Sequence, residues 1–195
     1  NGDIRLLANV NIILGGITTN VNASLTATTG SITDAGSAFG GEDVIAAGLR
    51  MVAGIGIGQS TDHLEMKVAT LTTRATSGGT FITETDALTI DDVSVTIQQV
   101  ATDATVAPVT DATQSDLLIT LVASDSIEFT ATADARTAGT GTINLEATTG
   151  SITQADDSRL ESADGDIRLL ANVNIILGGI TTNVNASLTA TTGSI

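Results

Sequence analysis

The stretch 2–32, GDIRLLANVNIILGGITTNVNASLTATTGSI, returns unchanged at 165–195. Asn1 against Asp164 is the one mismatch in the overlap. Gly2 maps to Gly165 and Ile32 to Ile195, so the chain reads as one full unit, 1–163, followed by the start of an identical unit, 164–195. A lone globular domain has no reason to restate its first strands. The expectation is a stretch of a longer tandem array, whose fold must let one unit run into its copy.

A shorter rhythm lies inside the unit. SLTATTGSIT (24–33) resembles NLEATTGSIT (144–153), and TRATSGGTFIT (73–83) is a looser version. IRLLANVNIIL (4–14), LRMVAGIGIG (49–58), LEMKVATL (64–71), LTIDDVSVTI (88–97) and ITLVASDSIEF (119–129) share one pattern. Apolar and variable residues alternate for two or three steps, a small residue or turn follows, and a second short alternation begins. Period two marks strands with one buried face. Glycine turns such as Gly15-Gly16, Gly40-Gly41, Gly78-Gly79 and Thr149-Gly150 separate the runs. Seven such runs of about 23 residues fill the unit, a repeat length that suits the coils of a solenoid. Short strands, even spacing and repeated turns predict an all-β, right-handed parallel β-solenoid of about seven coils per unit. The single proline, Pro108, lies in 101–116 and would remove a ladder donor, so that stretch is expected to protrude as a loop. A tandem β-sandwich is the competing fold.

Composition favours the solenoid. Thr is abundant, and the only aromatics are Phe39, Phe81 and Phe129. β-Branched residues suit pleated surfaces, whereas sandwich cores normally carry aromatics. Ala8, Ala27, Ala53, Ala123 and Ala147 recur at similar points of the rhythm, as tight corners require. The net charge of −15, with Lys67 as the only lysine, argues against nucleic acid as a partner. No apolar run approaches membrane-spanning length, so this segment is not expected to insert in a bilayer. The absence of Cys excludes disulfides and thiol catalysis, and the first residues show no signal-peptide pattern.

The pattern GDIRLLA…NIILGGI…SLTATTGSIT resembles the right-handed parallel β-helix of filamentous-haemagglutinin-type bacterial surface proteins, sharply at 2–33 and 141–153 and elsewhere as rhythm. That resemblance implies an exported, elongated, cell-surface or fibre-forming protein; its motif is structural and speaks to fold and setting more than to any activity, and no enzyme is expected.

Candidate sites are few. His63, the only histidine, has Ser60 and Asp62 beside it, but a triad needs three groups converging in space rather than in sequence. Asp91-Asp92 and Asp156-Asp157 are adjacent carboxylate pairs. They are the candidate calcium ligands, because calcium takes six to eight oxygens. Acidic residues also gather in GGED (40–43), TETDALTIDD (83–92), TDATQSD (110–116) and QADDSRLESADGD (154–166), without matching a known calcium loop. Clustered Asp could also serve a glycan-cleaving β-helix, but no Trp or Tyr offers a sugar platform. Thr-x-Thr pairs do not keep a coil period, so ordinary strand Thr is favoured over an ice-binding face. Asn22-Ala23-Ser24 and Asn185-Ala186-Ser187 fit the glycosylation sequon.

The function these readings favour is a structural repeat of a long extracellular fibre or adhesin stalk, with no cofactor. Its partners would be further copies of the repeat in cis, with end-to-end or lateral self-association. The alternatives are a calcium-binding adhesive module of a tandem β-sandwich adhesin and a glycan-active β-helix enzyme.

Overall fold

A computed structural model describes residues 2–36, 41–112 and 120–195. Phe39, Gly40, Ile119 and 113–116 of the acidic TDATQSD stretch therefore lie outside the described residues. Those described contain 21 strands and no helix. In chain order they are β1 (Ile4–Ala8), β2 (Ile12–Leu14), β3 (Ile17–Thr18), β4 (Asn22–Ala27), β5 (Ile32–Asp34), β6 (Val44–Ala53), β7 (Leu64–Ala75), β8 (Phe81–Glu84), β9 (Leu88–Ile90), β10 (Val95–Val100) and β11 (Val106–Asp111). The second half continues with β12 (Thr120–Ala123), β13 (Ile127–Phe129), β14 (Ala135–Thr137), β15 (Ile143–Ala147), β16 (Ile152–Gln154), β17 (Leu160–Ser162), β18 (Ile167–Ala171), β19 (Ile175–Ile176), β20 (Ile180–Thr182) and β21 (Ala186–Ala190).

The strands stack as a parallel β-solenoid of about eight turns with three faces. The first face runs through β3, the start of β6, the start of β7, then β8, β12, β15, β18 and β21. The second runs through β1, β4, the ends of β6 and β7, then β9, β13, β16 and β19. The third holds β2 and β5, bridges at Ile57 and Thr80, and later β14, β17 and β20. Among the described residues every ladder between coils is parallel; the antiparallel pairings are the β10–β11 hairpin, outside the coil, and a single bridge between Gln59 and Asp62. A β-sandwich is built on antiparallel pairing, so the competing fold is not the one this chain forms.

Register explains the rhythm. On the first face Leu64, Ile82, Leu121, Leu145, Leu169 and Leu188 fall in one inward column. On the same face Ala123, Ala147, Ala171 and Ala190 stack just before the corner; on the second face Ala8, Ala27, Ala53 and Ala75 do the same. Each coil buries the same kind of side chain on its neighbours, so one continuous aliphatic core runs along the axis. Phe129 is fully buried, whereas Phe81 is only half-buried.

The ATTGS phrase is a corner. The hydroxyls of Thr29, Thr149 and Thr192 donate to the carbonyls of Asn9 (2.7 Å), Ser124 (2.7 Å) and Asn172 (2.6 Å) on the neighbouring coil. The amides of Ser31, Ser151 and Ser194 donate to side chains of that coil, Asn11, Ser126 and Asn174. A Cβ on Gly30 would collide with Asn11 Oδ1 and the Val10 carbonyl, and one on Gly193 with Asn174 Oδ1 and the Val173 carbonyl. Only glycine lets the backbones approach this closely.

The two copies of the repeated segment do not lie on the same face. β1 and β4 belong to the second face, whereas their identical counterparts β18 and β21 belong to the first. The second-face ladder takes seven steps from β1 to β19, through β4, β6, β7, β9, β13 and β16. β18 sits one face before β19. The unit 1–163 therefore winds six and two-thirds turns, close to the expected seven, and the copy falls one face short of a whole number of turns.

The segment around Pro108 stands outside the coil ladders as a hairpin. Residues 101–105 form the turn of the β10–β11 hairpin, with Ala104 at φ 63°, and Pro108 lies in β11 opposite Gln98. β11 pairs with β10 alone, and proline is tolerated on such an edge strand.

Candidate functional site

Two arrangements on the solenoid concentrate polar chemistry. The first is the seat of the β10–β11 hairpin on the outside of the second face. Arg5, Ser24, Arg50 and Thr72 are successive register partners in β1, β4, β6 and β7, so they form one outward column. Asp111, at the end of β11, meets it. Its Oδ2 accepts from Arg5 Nε at 2.8 Å and from Ser24 Oγ at 2.9 Å. Arg50 Nη1 donates to Ser24 Oγ (3.1 Å) and Thr26 Oγ1 (3.0 Å). Asn22 Nδ2 donates to the Ser94 carbonyl, and the Thr96 amide to Asp3 Oδ2. Burial opposes ionisation of Asp111, but the bonds from Arg5 and Ser24 and the charges of Arg5 and Arg50 prevail and hold its carboxyl below the usual range. A Cβ on Gly48 would press on Asn22 Oδ1 and on a methyl of Val93, itself buried where the chain enters the hairpin.

The second arrangement is a carboxylate trio at the corner between the third and first faces. Asp34 ends β5, Asp43 precedes β6, and Glu65 lies in β7. One oxygen of each lies within 4.8 Å of the others. Asp43 is buried, and its Oδ2 accepts from the Glu65 amide at 3.1 Å. Burial first, then the Asp34 side chain and the neighbouring negative charges, push its carboxyl up to about 7. Glu65 is raised for the same main reason, burial. Three carboxyls this close can share a proton or hold a cation.

A further carboxylate, Glu84, occupies the core. It stands in the inward column between Met66 and Ala123. Its carboxyl accepts from the amides of Val68 (3.2 Å), Thr85 (3.0 Å) and Asp86 (3.3 Å), serving one backbone group where β7 bends between faces and two in the turn after β8. Burial outweighs those bonds and raises it to about 7.

The carboxylates singled out from the sequence sit elsewhere. Asp91 follows β9 and accepts from the Thr132 hydroxyl (2.8 Å) and the Asp92 amide (2.8 Å); Asp92 is exposed. Asp156 and Asp157 are exposed in the turn after β16. Neither pair belongs to the trio, the only three-carboxylate group among the described residues. Asp43 does fall in the acidic GGED stretch, and Glu84 in TETDALTIDD; nothing in the sequence marks Asp34 or Glu65 as their neighbours. His63 Nδ1 lies 3.1 Å from Thr83 Oγ1, and its ring centroid 6.0 Å from that of Phe81. Its recorded partners are thus a threonine and a phenylalanine rather than Ser60 and Asp62. A shallow groove of about 540 Å³ along the corner between the first and second faces is lined by Thr18, Ala47, Ala69 and the Lys67–Asp86 ion pair. The pair is exposed, and the buried Glu84 carboxyl lies just beneath it, accepting from the Asp86 amide. The Asn22 sequon lies under the hairpin with Ser24 fully buried, whereas Asn185 and Ser187 are exposed.

No family model, curated protein or solved structure matches the chain.

Proposed function

We propose that the chain is a structural repeat of a long extracellular fibre or adhesin stalk that extends a larger protein from the cell surface. The observation that carries this reading is the equality of the two copies in register. Ile167 to Ala171 pair with Ala186 to Ala190 in the alignment in which Ile4 to Ala8 pair with Ala23 to Ala27. A unit that follows can therefore continue the ladders and the aliphatic core without a break. The resemblance of the GDIRLLA and ATTGSIT phrases to filamentous-haemagglutinin-type surface proteins supports the same setting. In this reading the chain has no reaction of its own, its partners are further copies of the repeat, and its acidic surface keeps neighbouring fibres apart. Small-angle scattering on chains of one, two and three units tests it. Six and two-thirds turns at about 4.8 Å per strand spacing add roughly 32 Å per unit. An increment near zero, from units folding back side by side, would remove the stalk.

The Asp34–Asp43–Glu65 trio favours a second reading, a calcium-binding adhesive module. Calorimetry with calcium separates the two: no heat and no rise in melting temperature leave the stalk alone.

A further inference from the structure

The outer side of the third face carries a trough. Ile32, Ile57 and Thr80 follow one another inward on successive coils. The outward neighbours of Ile57 are Gly56 and Gly58, which have no side chain. A Cβ on Gly58, at φ +64°, would strike the Phe81 carbonyl, and one on Gly56 would press on the Gly78 backbone, so this floor stays bare. The space left is about 570 Å³. Ile13 and Thr33 close one end, Phe81 the other, and Ile55 stands along one side. Ile55 is 47% exposed although a coil lies on each side of it: its amide donates to the Gly30 carbonyl (2.9 Å), and its carbonyl accepts from the Gly78 amide (2.8 Å). Ile13 is 67% exposed, and its counterpart Ile176 keeps 54% exposure with a coil on each side. These side chains thus face solvent because they point outward from the coil. Among the described residues, none that lines the trough is charged. By contrast, Lys67 and Asp86 flank the groove between the first and second faces, and Arg74, Arg136 and Glu161 flank a cavity beside β14.

We propose that this trough is a lateral contact between two copies of the chain, related by a two-fold axis, with Ile55 of each copy entering the trough of the other. Charge selects the occupant. The chain carries a net charge of −15, so most orientations bring acidic surfaces together, and an uncharged trough lets two copies meet without like-charge contact. Shape agrees, because a two-fold contact needs a surface that is its own complement. Here one isoleucine knob stands beside a hole floored by two glycines. Ile55 and Phe81 supply the apolar centre, and Asn11, Ser31 and Gln59 a polar rim. One trough is small for an interface, so the contact is weak. Salt strengthens it by screening the repulsion between the two acidic chains. The contact goes beyond the stalk reading and does not rest on it, since two separate chains make it side by side.

Sedimentation equilibrium of the full chain at low and high salt tests this. The expected result is a monomer–dimer equilibrium whose dissociation constant falls as salt is raised. Ile55→Lys changes an outward side chain that the core does not need. It should raise the dissociation constant at least tenfold and leave the melting temperature unchanged. If Ile55→Lys impairs folding, Thr33→Glu places a charge in the same trough and should act alike. Ile176→Lys, at a similarly exposed isoleucine away from the trough, should leave the constant unchanged, which separates this contact from unspecific adhesion. The chain has no cysteine, so an introduced thiol reports alone. A short bis-maleimide should couple two Ser31→Cys chains across the axis at least tenfold faster than two chains carrying Thr140→Cys at an exposed turn. A chain that stays monomeric at high salt, a constant unaffected by Ile55→Lys, or one raised as much by Ile176→Lys overturns the proposal. Equal coupling of the Ser31→Cys and Thr140→Cys chains overturns it as well.

Discussion

Residues 2–32 and 165–195 are the same sequence in two places. Both copies form the same strands at the same spacing, with the same glycine corner and the same threonine bond across it. They differ in what surrounds them. The first copy lies on the second face beneath a hairpin, with its outer Arg5–Ser24 column buried against Asp111. The second lies one face earlier, with Arg168 held by Glu146 at the surface. Local sequence thus determines the coil, whereas the face on which a strand lands depends on how many faces the preceding chain has crossed. Sequence determines pairing by matching inward columns, and any of three faces can satisfy that match.

The comparison predicts equal responses where the two copies have the same neighbours and unequal ones where they do not. Gly30→Ala and Gly193→Ala place the same methyl against the same groups, Asn11 Oδ1 and the Val10 carbonyl in one copy and Asn174 Oδ1 and the Val173 carbonyl in the other. Each is expected to cost about 3 kcal/mol, as overpacking does. Chemical denaturation of both variants measures the losses, and a loss under about 1 kcal/mol at either position would show that its corner is not tightly packed.

Acid should sharpen the contrast, because the trio and Glu84 lie in the coils that follow the first copy. Glu84 ionises near 4.5 in an unfolded chain and near 7 in the fold. The unfolded state thus loses its proton first. The stability that protonated Glu84 contributes is fully present below about 4.5, falls as pH rises, and is lost by about 7. Asp43 behaves alike over its own window, from 3.8 to about 7. Glu84 alone corresponds to roughly 2–3 kcal/mol. Melting temperature should rise as pH is lowered from 8 towards 5. Amide exchange should slow mainly over β5 to β8, with little change over β18 to β21. Glu84→Gln should flatten the profile by about half; a profile left unchanged by it would show that the titrating group is another.

Arg5→Ala and Arg168→Ala form the next pair. Loss of Arg5 strands the partly buried Asp111 and should cost about 1–2 kcal/mol and loosen the hairpin. Loss of Arg168 removes an exposed ion pair and should change stability by less than about 0.5 kcal/mol. Thermal denaturation of the two variants reads both values. The smallest contrast leaves stability alone: in a host that glycosylates, Asn185 should be modified and Asn22 spared, which mass spectrometry reads directly.

These differences mark what the sequence makes legible. Alternation of Leu121, Leu145 and Ala147 with variable neighbours announces strands, and recurring Ala and ATTGS announce corners, because each coil needs the same groups at the same point. Pro108 marks the departure from the coil but not the hairpin, since a proline is as compatible with an edge strand as with a loop. Glu84 reads as one acidic residue in a turn-rich stretch. Its buried carboxyl serves the Val68 amide at the bend of β7 and the Asp86 amide after β8, and only the fold brings those groups together. The trio is equally hidden: Asp34, Asp43 and Glu65 are separated along the chain and meet because successive coils stack one corner on another. The adjacent pairs Asp91-Asp92 and Asp156-Asp157 are conspicuous in sequence, yet neighbouring residues diverge across a strand or turn, so adjacency is a poor guide to convergence.

The central claim, that one uninterrupted solenoid sets the second copy one face earlier than the first, is tested most directly by disulfide mapping in the cysteine-free chain. Asn144 and Arg168 are register partners on adjacent coils of the first face, and Thr153 and Ile176 on the second. Parallel neighbours about 4.8 Å apart lie within disulfide reach. The account predicts that Asn144→Cys with Arg168→Cys closes readily, that Thr153→Cys with Ile176→Cys does the same, and that Thr153→Cys with Arg168→Cys stays open. Closure of that last pair with failure of the first would place β18 on the second face, in phase with β1, and contradict the account.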